Sequence, residues 1–183
     1  MTVDAIVVGT SWGGLRALQT LLAGLAGLAC PLLVAQHRAA GEELDLAAML
    51  ARSSALPVAD AADKDPLQGG RVYLAPADYH LMVEERGVAA LSTMPPVNSA
   101  RPSIDVLFET AAAAYGRALA GVVLTGASAD GAAGLARIQA GGGIVIVQRP
   151  ETAECAIMPR AALAATGTRA VYELETGRVV IVD

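Results

Sequence analysis

The feature that most constrains the fold is a strand that turns at once into a helix through a glycine-flanked serine. Residues 4–8 read DAIVV, the corner at 9–14 reads GTSWGG, and a helical pattern follows. Such a corner exposes the serine Oγ and places unpaired N–H groups of the helix start beside it. Ser11 is therefore a candidate nucleophile. The same glycine spacing also suits a bound dinucleotide phosphate, so the motif alone leaves both interpretations open.

The end of the second predicted strand separates these two interpretations. A dinucleotide site places an acidic residue there, about 20 residues beyond the glycines, for the ribose hydroxyl. The strand at 31–35 instead runs into His37, and the next acidic residue is Glu42. Adjacent parallel strands would bring Ser11 and His37 together at the carboxyl edge of the sheet, where open α/β folds place their sites. The pattern therefore favours a nucleophile facing its base.

Composition limits the class of protein. A chain of 183 residues suits one domain, and we predict a single domain over 1–183. The hydrophobic content of 54% raises the question of a membrane span. The longest apolar stretch, 21–35, is interrupted by Gly24, Gly27 and Pro31 and falls short of the roughly 20 residues that a span needs. We therefore expect no membrane insertion.

The net charge and the cysteine content limit the classes of binding partner and the cellular compartment that we expect. The net charge of −5, without basic runs or clustered aromatic residues, argues against nucleic acid. The N-terminus lacks the basic segment of a secretory signal. Cys30 and Cys155 have no metal-ligand spacing, which favours reduced thiols and a cytoplasmic location. The acidic loop 60–66 is interpreted as a solvated turn, so no metal site is predicted.

The rest of the chain alternates between strand and helix patterns. The predicted elements are a helix over 42–52, a strand at 71–76, a hairpin over 80–91, a helix over 103–119, a strand at 119–124, a helix ending at 140, a strand at 143–147 and a helix over 159–165. This alternation predicts a doubly wound α/β fold: a mostly parallel sheet with helices on both faces and an antiparallel hairpin.

A catalytic serine and histidine need an acid that holds the tautomer of the imidazole. Asp130 follows a buried strand at the same predicted sheet edge. An aspartate just before a helix is also a common N-cap. The pattern leaves capping and catalysis open.

Together these residues resemble the catalytic domain of the chemotaxis protein-glutamate methylesterases, the CheB family. The similarity rests on blocks in family order: 9–14 (GTSWGG), 36–37 (QH), 74–78 (LAPAD), 96–98 (PVN), 101–108 (RPSIDVLF), 124–126 (LTG), 130–132 (DGA) and 158–160 (MPR). The blocks cover nearly the whole chain and favour the catalytic interpretation of Ser11, His37 and Asp130. Their order also differs from that of the α/β-hydrolases, which runs Ser, Asp, His.

The resemblance implies hydrolysis of glutamyl methyl esters on the cytoplasmic helices of methyl-accepting chemoreceptors, with deamidation of glutamine in some members. It implies no metal or organic cofactor. Ser11 would attack the ester, His37 would take its proton, and backbone N–H groups near Trp12 would hold the oxyanion. Two rival functions stay open: a small-molecule carboxylesterase, and a binding or signalling module without catalysis.

Three further residues are weaker candidates for substrate contact. His80 more often would be a satisfied loop or edge-strand histidine, and Arg101 is as readily a solvated surface residue or the partner of a carboxylate. Met158 is expected to pack.

Two residues depart from the family pattern. Trp12 stands where members usually carry a small residue or threonine, and Ala127 stands where they carry methionine. Members usually also place a receiver domain before the esterase, whereas here the first strand begins at the N-terminus. The alternatives are constitutive activity, control by a separate regulatory protein, or a longer parent chain.

Overall fold

A computed structural model describes residues 2–39, 41 and 44–181. The strands are β1 (Ala5–Thr10), β2 (Leu32–Gln36), β3 (Val58–Asp60), β4 (Val72–Leu74), β5 (His80–Glu85), β6 (Val88–Ser92), β7 (Leu119–Val123), β8 (Ile144–Gln148), β9 (Ala170–Glu173) and β10 (Arg178–Ile181). The helices are α1 (Gly14–Ala23), α2 (Leu46–Ala51), α3 (Ile104–Tyr115), α4 (Ala132–Ala140) and α5 (Ile157–Thr166).

Within these residues, eight strands form one sheet in the order β10-β9-β8-β7-β1-β2-β4-β3. Strand β1 lies between β2 and β7 and is parallel to both. Only the β9–β10 pair of this sheet is antiparallel among the described strands. Strands β5 and β6 form a separate antiparallel hairpin. The predicted α/β fold, with its mostly parallel sheet and its hairpin, is confirmed.

Two apolar cores cover the two faces of the sheet. Helices α1 and α2 pack on one face, through residues that include Leu18, Leu22, Leu46 and Leu50. Helices α3, α4 and α5 pack on the other face together with the hairpin, through residues that include Phe108, Leu135, Ala162 and Leu81. Strand side chains alternate between the cores, as Leu33 and Val34 of β2 do. Helices on opposite faces diverge after β1 and β7, and this opens a crevice at the carboxyl edge.

The largest differences from the predicted helix boundaries are in α2 and α3. Helix α2 is shorter than predicted, because the Asp45 carboxylate caps its start by accepting the Ala48 N–H at 2.8 Å. Glu42, the predicted start, lies outside the described residues. Helix α3 ends at Tyr115 because Gly116 adopts φ +53° and ψ −128°, a non-helical conformation that glycine tolerates because it has no Cβ.

Strands β3, β9 and β10 have no counterpart in the predicted pattern. None of the described helices is long and apolar enough to cross a membrane.

Candidate active site

Ser11 lies at the corner between β1 and α1. Its N–H donates to the Thr125 carbonyl at 2.9 Å, and its carbonyl accepts the Gly14 N–H at 2.9 Å. Gly13 carries φ +76°, a left-handed conformation that glycine adopts without steric cost. These bonds fix the corner to the loop after β7 and leave Ser11 partly exposed. The corner thus presents the serine as the motif predicts.

His37 follows β2 beside this corner. Thr10 and Gln36 are paired in register at the ends of β1 and β2, and the His37 N–H donates to the Thr10 carbonyl at 3.0 Å. Ser11 and His37 are therefore the next residues on two neighbouring parallel strands, whose axes lie about 4.8 Å apart. The strand register brings the two residues together as predicted.

The side chain of Gln36 links the segment that carries Ser11 to the segment that carries His37. Its Nε2 donates to the Ser11 carbonyl at 2.9 Å and to the His37 carbonyl at 3.0 Å. Gly14 makes room for this amide, because a Cβ there would overlap Oε1 of Gln36 and lie 2.6 Å from Oγ1 of Thr10. Gln36 therefore fixes the two backbones relative to each other.

Asp130 reaches His37 from the loop after β7. Its Oδ2 lies 2.7 Å from Nε2 of His37, and its side chain has no exposed surface. Since an ionised carboxylate only accepts hydrogen bonds, Nε2 carries the proton and donates it. The other ring nitrogen, Nδ1, is then the one that can act as a base.

Four further donors hold the Asp130 carboxylate. Oδ1 accepts from Asn98 Nδ2 at 2.8 Å, from Ser103 Oγ at 3.0 Å and from the Asp105 N–H at 3.1 Å. Oδ2 also accepts the Ile104 N–H at 2.7 Å. Burial raises the pKa of Asp130, but the hydrogen bonds from His37, Asn98, Ile104 and Asp105 outweigh it and lower the pKa to about 2. The carboxylate is therefore ionised at neutral pH.

The structure also bears on the alternative that Asp130 is the N-cap of the helix that follows it. Helix α4, which follows Asp130, has Gly131 at its N-cap and no side-chain cap. Asp130 instead accepts the first N–H groups of α3, at Ile104 and Asp105. It caps a helix distant in sequence and binds His37 with the same carboxylate.

A cleft of about 350 Å³ opens beside these residues, and both Ser11 and His37 line it. Gln36, Arg38, Leu44 and Glu154 form part of its wall. No hydrogen bond joins Ser11 Oγ to His37 within the described residues. Such bonds are often long in free enzymes and shorten when substrate binds.

Two backbone donors lie at the start of α1. Among the described residues, no acceptor bonds the N–H groups of Trp12 and Gly13, so both remain available to an external acceptor such as an oxyanion. The Trp12 ring is 66% exposed and is not part of the wall around Ser11 and His37. Ala127, the other departure from the family pattern, is exposed in the loop after β7.

His80 has a different environment from the one predicted for substrate contact. It is fully buried, its Nδ1 accepts the Ser103 N–H at 3.1 Å, and its Nε2 lies 3.2 Å from the Pro95 carbonyl. Both ring nitrogens are therefore bonded, and the side chain has no exposed surface. His80 supports Ser103, whose hydroxyl donates to Asp130.

Arg101 and Met158 also have protein partners. Arg101 pairs with Asp78 and donates from Nη1 to the carbonyls of Thr93 at 2.9 Å and Met94 at 3.1 Å. Met158 is buried, and a Cβ at Gly126 would lie 2.6 Å from its Cε and 3.0 Å from Cβ of Ser11. Met158 thus packs behind Ser11.

Sequence reasoning missed the roles of Gln36 and Asn98. Both residues stand inside blocks that carry the family resemblance, and this was the available signal. Within the described part of the chain, no group of three His, Cys, Asp or Glu side chains is placed to hold a metal ion.

An open, mostly parallel sheet whose carboxyl edge gathers a serine, a histidine and an aspartate has the arrangement of a serine hydrolase. The family model of the CheB methylesterases matches residues 6–177. A putative protein-glutamate methylesterase/protein-glutamine glutaminase from Leptospira interrogans is 42% identical over 176 residues, which cover 96% of this chain and 91% of that protein. The chain therefore belongs to the CheB methylesterase family, and it is an enzyme of the protein-glutamate methylesterase class.

Two other relatives agree with this assignment. Protein-glutamate methylesterase/protein-glutamine glutaminase 2 from Anaeromyxobacter dehalogenans is 46% identical over 162 residues, which cover 88% of this chain but only 47% of that protein. The crystal structure of the Thermotoga maritima CheB methylesterase catalytic domain matches with a TM-score of 0.84 and 31% identity, over 91% of each chain.

Proposed function

We propose that this enzyme hydrolyses glutamyl methyl esters of chemoreceptors through Ser11, His37 and Asp130. The 2.7 Å contact between His37 and Asp130, beside a serine on the neighbouring strand end, carries this proposal. It supplies a fixed imidazole with one nitrogen free to accept a proton, next to the partly exposed Ser11. Nucleophilic ester hydrolysis needs those groups.

Acylation begins when Ser11 Oγ attacks the ester carbonyl and Nδ1 of His37 takes the hydroxyl proton. The ionised Asp130 stabilises the resulting imidazolium through Nε2. The N–H groups of Trp12 and Gly13 are the proposed donors to the oxyanion. When the tetrahedral intermediate collapses, His37 returns the proton to the leaving oxygen and methanol departs.

Water then completes the reaction. His37 takes a proton from the water as the water oxygen attacks the acyl-enzyme, and it returns that proton to the departing Oγ of Ser11. The products are free Ser11 and a glutamic acid side chain, which loses its proton to solvent and becomes the carboxylate. With a glutamine side chain as substrate, the same steps would release ammonia. The names of the relatives include a protein-glutamine glutaminase, which supports this second reaction as part of the proposal.

The test compares methylated chemoreceptor cytoplasmic fragments with short acyl esters, and the readout is release of methanol or of the acyl product. We expect turnover of the methylated fragments by the wild-type chain and none by Ser11→Ala. Turnover of short esters alone would favour a small-molecule carboxylesterase. Failure on both substrates, with the chain folded, would favour a binding module.

A further inference from the structure

Two carboxylates share one buried site behind His37. Asp105 lies in the first turn of α3 and Asp130 precedes α4, and the two residues are 7% and 1% exposed. Each carboxylate accepts hydrogen bonds from the first turn of the helix that is associated with the other aspartate. Asp130 accepts N–H groups of α3, and Asp105 Oδ1 accepts the Gly134 N–H of α4 at 2.7 Å. The pair thus joins the two helix starts beneath the site.

The amide of Asn98 bridges these carboxylates. Its Nδ2 donates to Asp105 Oδ2 at 2.8 Å and to Asp130 Oδ1 at 2.8 Å, which uses both amide hydrogens. Within the described residues, no lysine or arginine forms an ion pair with either carboxylate. Burial, opposed in part by the Gly134 hydrogen bond, raises the pKa of Asp105, and the nearby Asp130 charge raises it further. The neutral amide is what separates two buried like charges.

Asn98 projects from an exposed loop of residues 93–101 that is held at its base. Arg101 donates to the Thr93 and Met94 carbonyls, and His80 bonds the Pro95 carbonyl. Asn98 itself carries φ +52°, a region that asparagine tolerates better than most residues. The loop can therefore place this one amide over the carboxylate pair.

We propose that Asn98 is a positioning residue that keeps Asp105 and Asp130 ionised together and aligned behind His37. Asp105 then adds a second negative charge that favours the imidazolium formed during acylation. The effect on activity rests on the proposed function, whereas the effect on the two carboxylates does not. No metal, cofactor or additional group is required.

The charged and titratable groups around Asp130 come from several elements. His37 follows β2, Asp105 and Glu109 lie on α3, and Glu109 adds to the rise in the pKa of Asp105. His80 of β5 faces the Ser103 N–H through Nδ1, so that nitrogen carries no proton. A third carboxyl group at position 98 would therefore meet two carboxylates and a single histidine.

Two substitutions separate positioning from packing. Asn98→Gly removes the amide without strain at positive φ. We expect the second-order rate of Ser11 labelling by a fluorophosphonate to fall about 10–100-fold, because a misplacement of about 1 Å in a reacting group can cost about 100-fold. Asn98→Asp keeps the shape of the side chain but removes the two N–H donors of the amide. Three carboxyl groups then retain a shared proton near neutral pH, because like charges raise each other's pKa. Above that pH the shared proton leaves, so labelling should fall progressively relative to wild type.

Gln68→Glu is the matched control, because it adds the same charge at an exposed residue beside Arg71. Carboxyl-carbon NMR should show one protonated carboxyl near neutral pH in Asn98→Asp and none added in Gln68→Glu. The NMR readout does not depend on the reactivity of Ser11. If the wild-type chain is not labelled at Ser11, the proposed function is contradicted, and the NMR result still tests the role of Asn98. Two results would overturn the inference. One is labelling of Ser11 in Asn98→Gly at the wild-type rate, and the other is the absence of any carboxyl group in Asn98→Asp that keeps its proton near neutral pH. If Asn98→Asp does not fold, the rate of Ser11 labelling in Asn98→Gly tests the inference.

Discussion

Nε2 of His37 lies 2.7 Å from Oδ2 of Asp130, although 93 residues separate the two in sequence. In the serine-protease arrangement the carboxylate binds Nδ1 and Nε2 takes the serine proton. In the mechanism proposed here the two ring nitrogens exchange these roles, because Asp130 binds Nε2 and leaves Nδ1 as the base. Strand β1, with β2 and β7 on either side, makes this contact possible, because the loops after these three strands share one edge of the sheet.

This contact predicts the tautomer of His37. Neutral His37 should carry its proton on Nε2, because the acceptor at that nitrogen is an ionised carboxylate. Imidazole nitrogen NMR at mildly alkaline pH checks this, and His37→Ala identifies the signal among the two histidines of the chain. A proton on Nδ1 would exclude that nitrogen as the base in the resting enzyme.

Asp130→Asn should impair both catalysis and stability. We expect kcat to fall on the order of 10⁴-fold, by analogy with the serine-protease triad, because the imidazole loses its orienting charge. We also expect a loss of about 1–3 kcal/mol in unfolding free energy, because a buried amide nitrogen would face N–H donors of α3. Steady-state kinetics and urea unfolding measure the two effects. A loss of stability with kcat unchanged would make Asp130 only a cap.

Acid should remove a stabilising contribution from Asp130. Its pKa is about 2 in the folded chain against an ordinary value of 3.8, so the ionised form stabilises the fold above about pH 4. That contribution, about 2 kcal/mol, is lost as the pH falls through about 2. Urea unfolding of wild type and Asp130→Asn should show the difference between them narrowing over this range. A difference that stays constant would contradict the assigned pKa.

Gly14→Ala should reduce activity more than its effect on stability explains. The added methyl group would displace the Gln36 amide, which bonds the carbonyls of both Ser11 and His37. Gly24→Ala is the matched control at the other end of α1, because its Cβ meets only the Leu21 carbonyl oxygen, at 3.5 Å. We expect the Gly14 variant to lose at least about tenfold in kcat, because a misplacement of about 1 Å in a reacting group can cost about 100-fold. Equal kcat values for the two variants would remove Gln36 from its positioning role.

Local patterns identified Ser11 and His37, because a strand-to-helix corner and the end of the next strand are both visible within a few residues. The sequence pattern did not reveal which helix Asp130 caps. The N–H groups that it accepts belong to α3, which lies 25 and 26 residues earlier. His80 is a similar case, because its partners at Ser103 and Pro95 meet it only in the folded chain.

The strands that sequence analysis missed are short. Strands β3 and β10 are the two edges of the sheet, and β9 lies next to β10. Strand β3 has three residues, and β9 and β10 have four each. Periodicity cannot identify so few residues, and their pairing depends on the strands beside them. Helix α5 begins two residues before Pro159, the predicted start, because a proline in the first turn costs no hydrogen bond.

Covalent trapping tests the catalytic proposal most directly. The wild-type chain, treated with a serine-directed fluorophosphonate and mapped by peptide mass spectrometry, should carry the label on Ser11. Labelling should be absent in Ser11→Ala and strongly slowed in His37→Ala, with both variants folded. Label on another residue, or equal labelling of Ser11 with and without His37, would contradict the account.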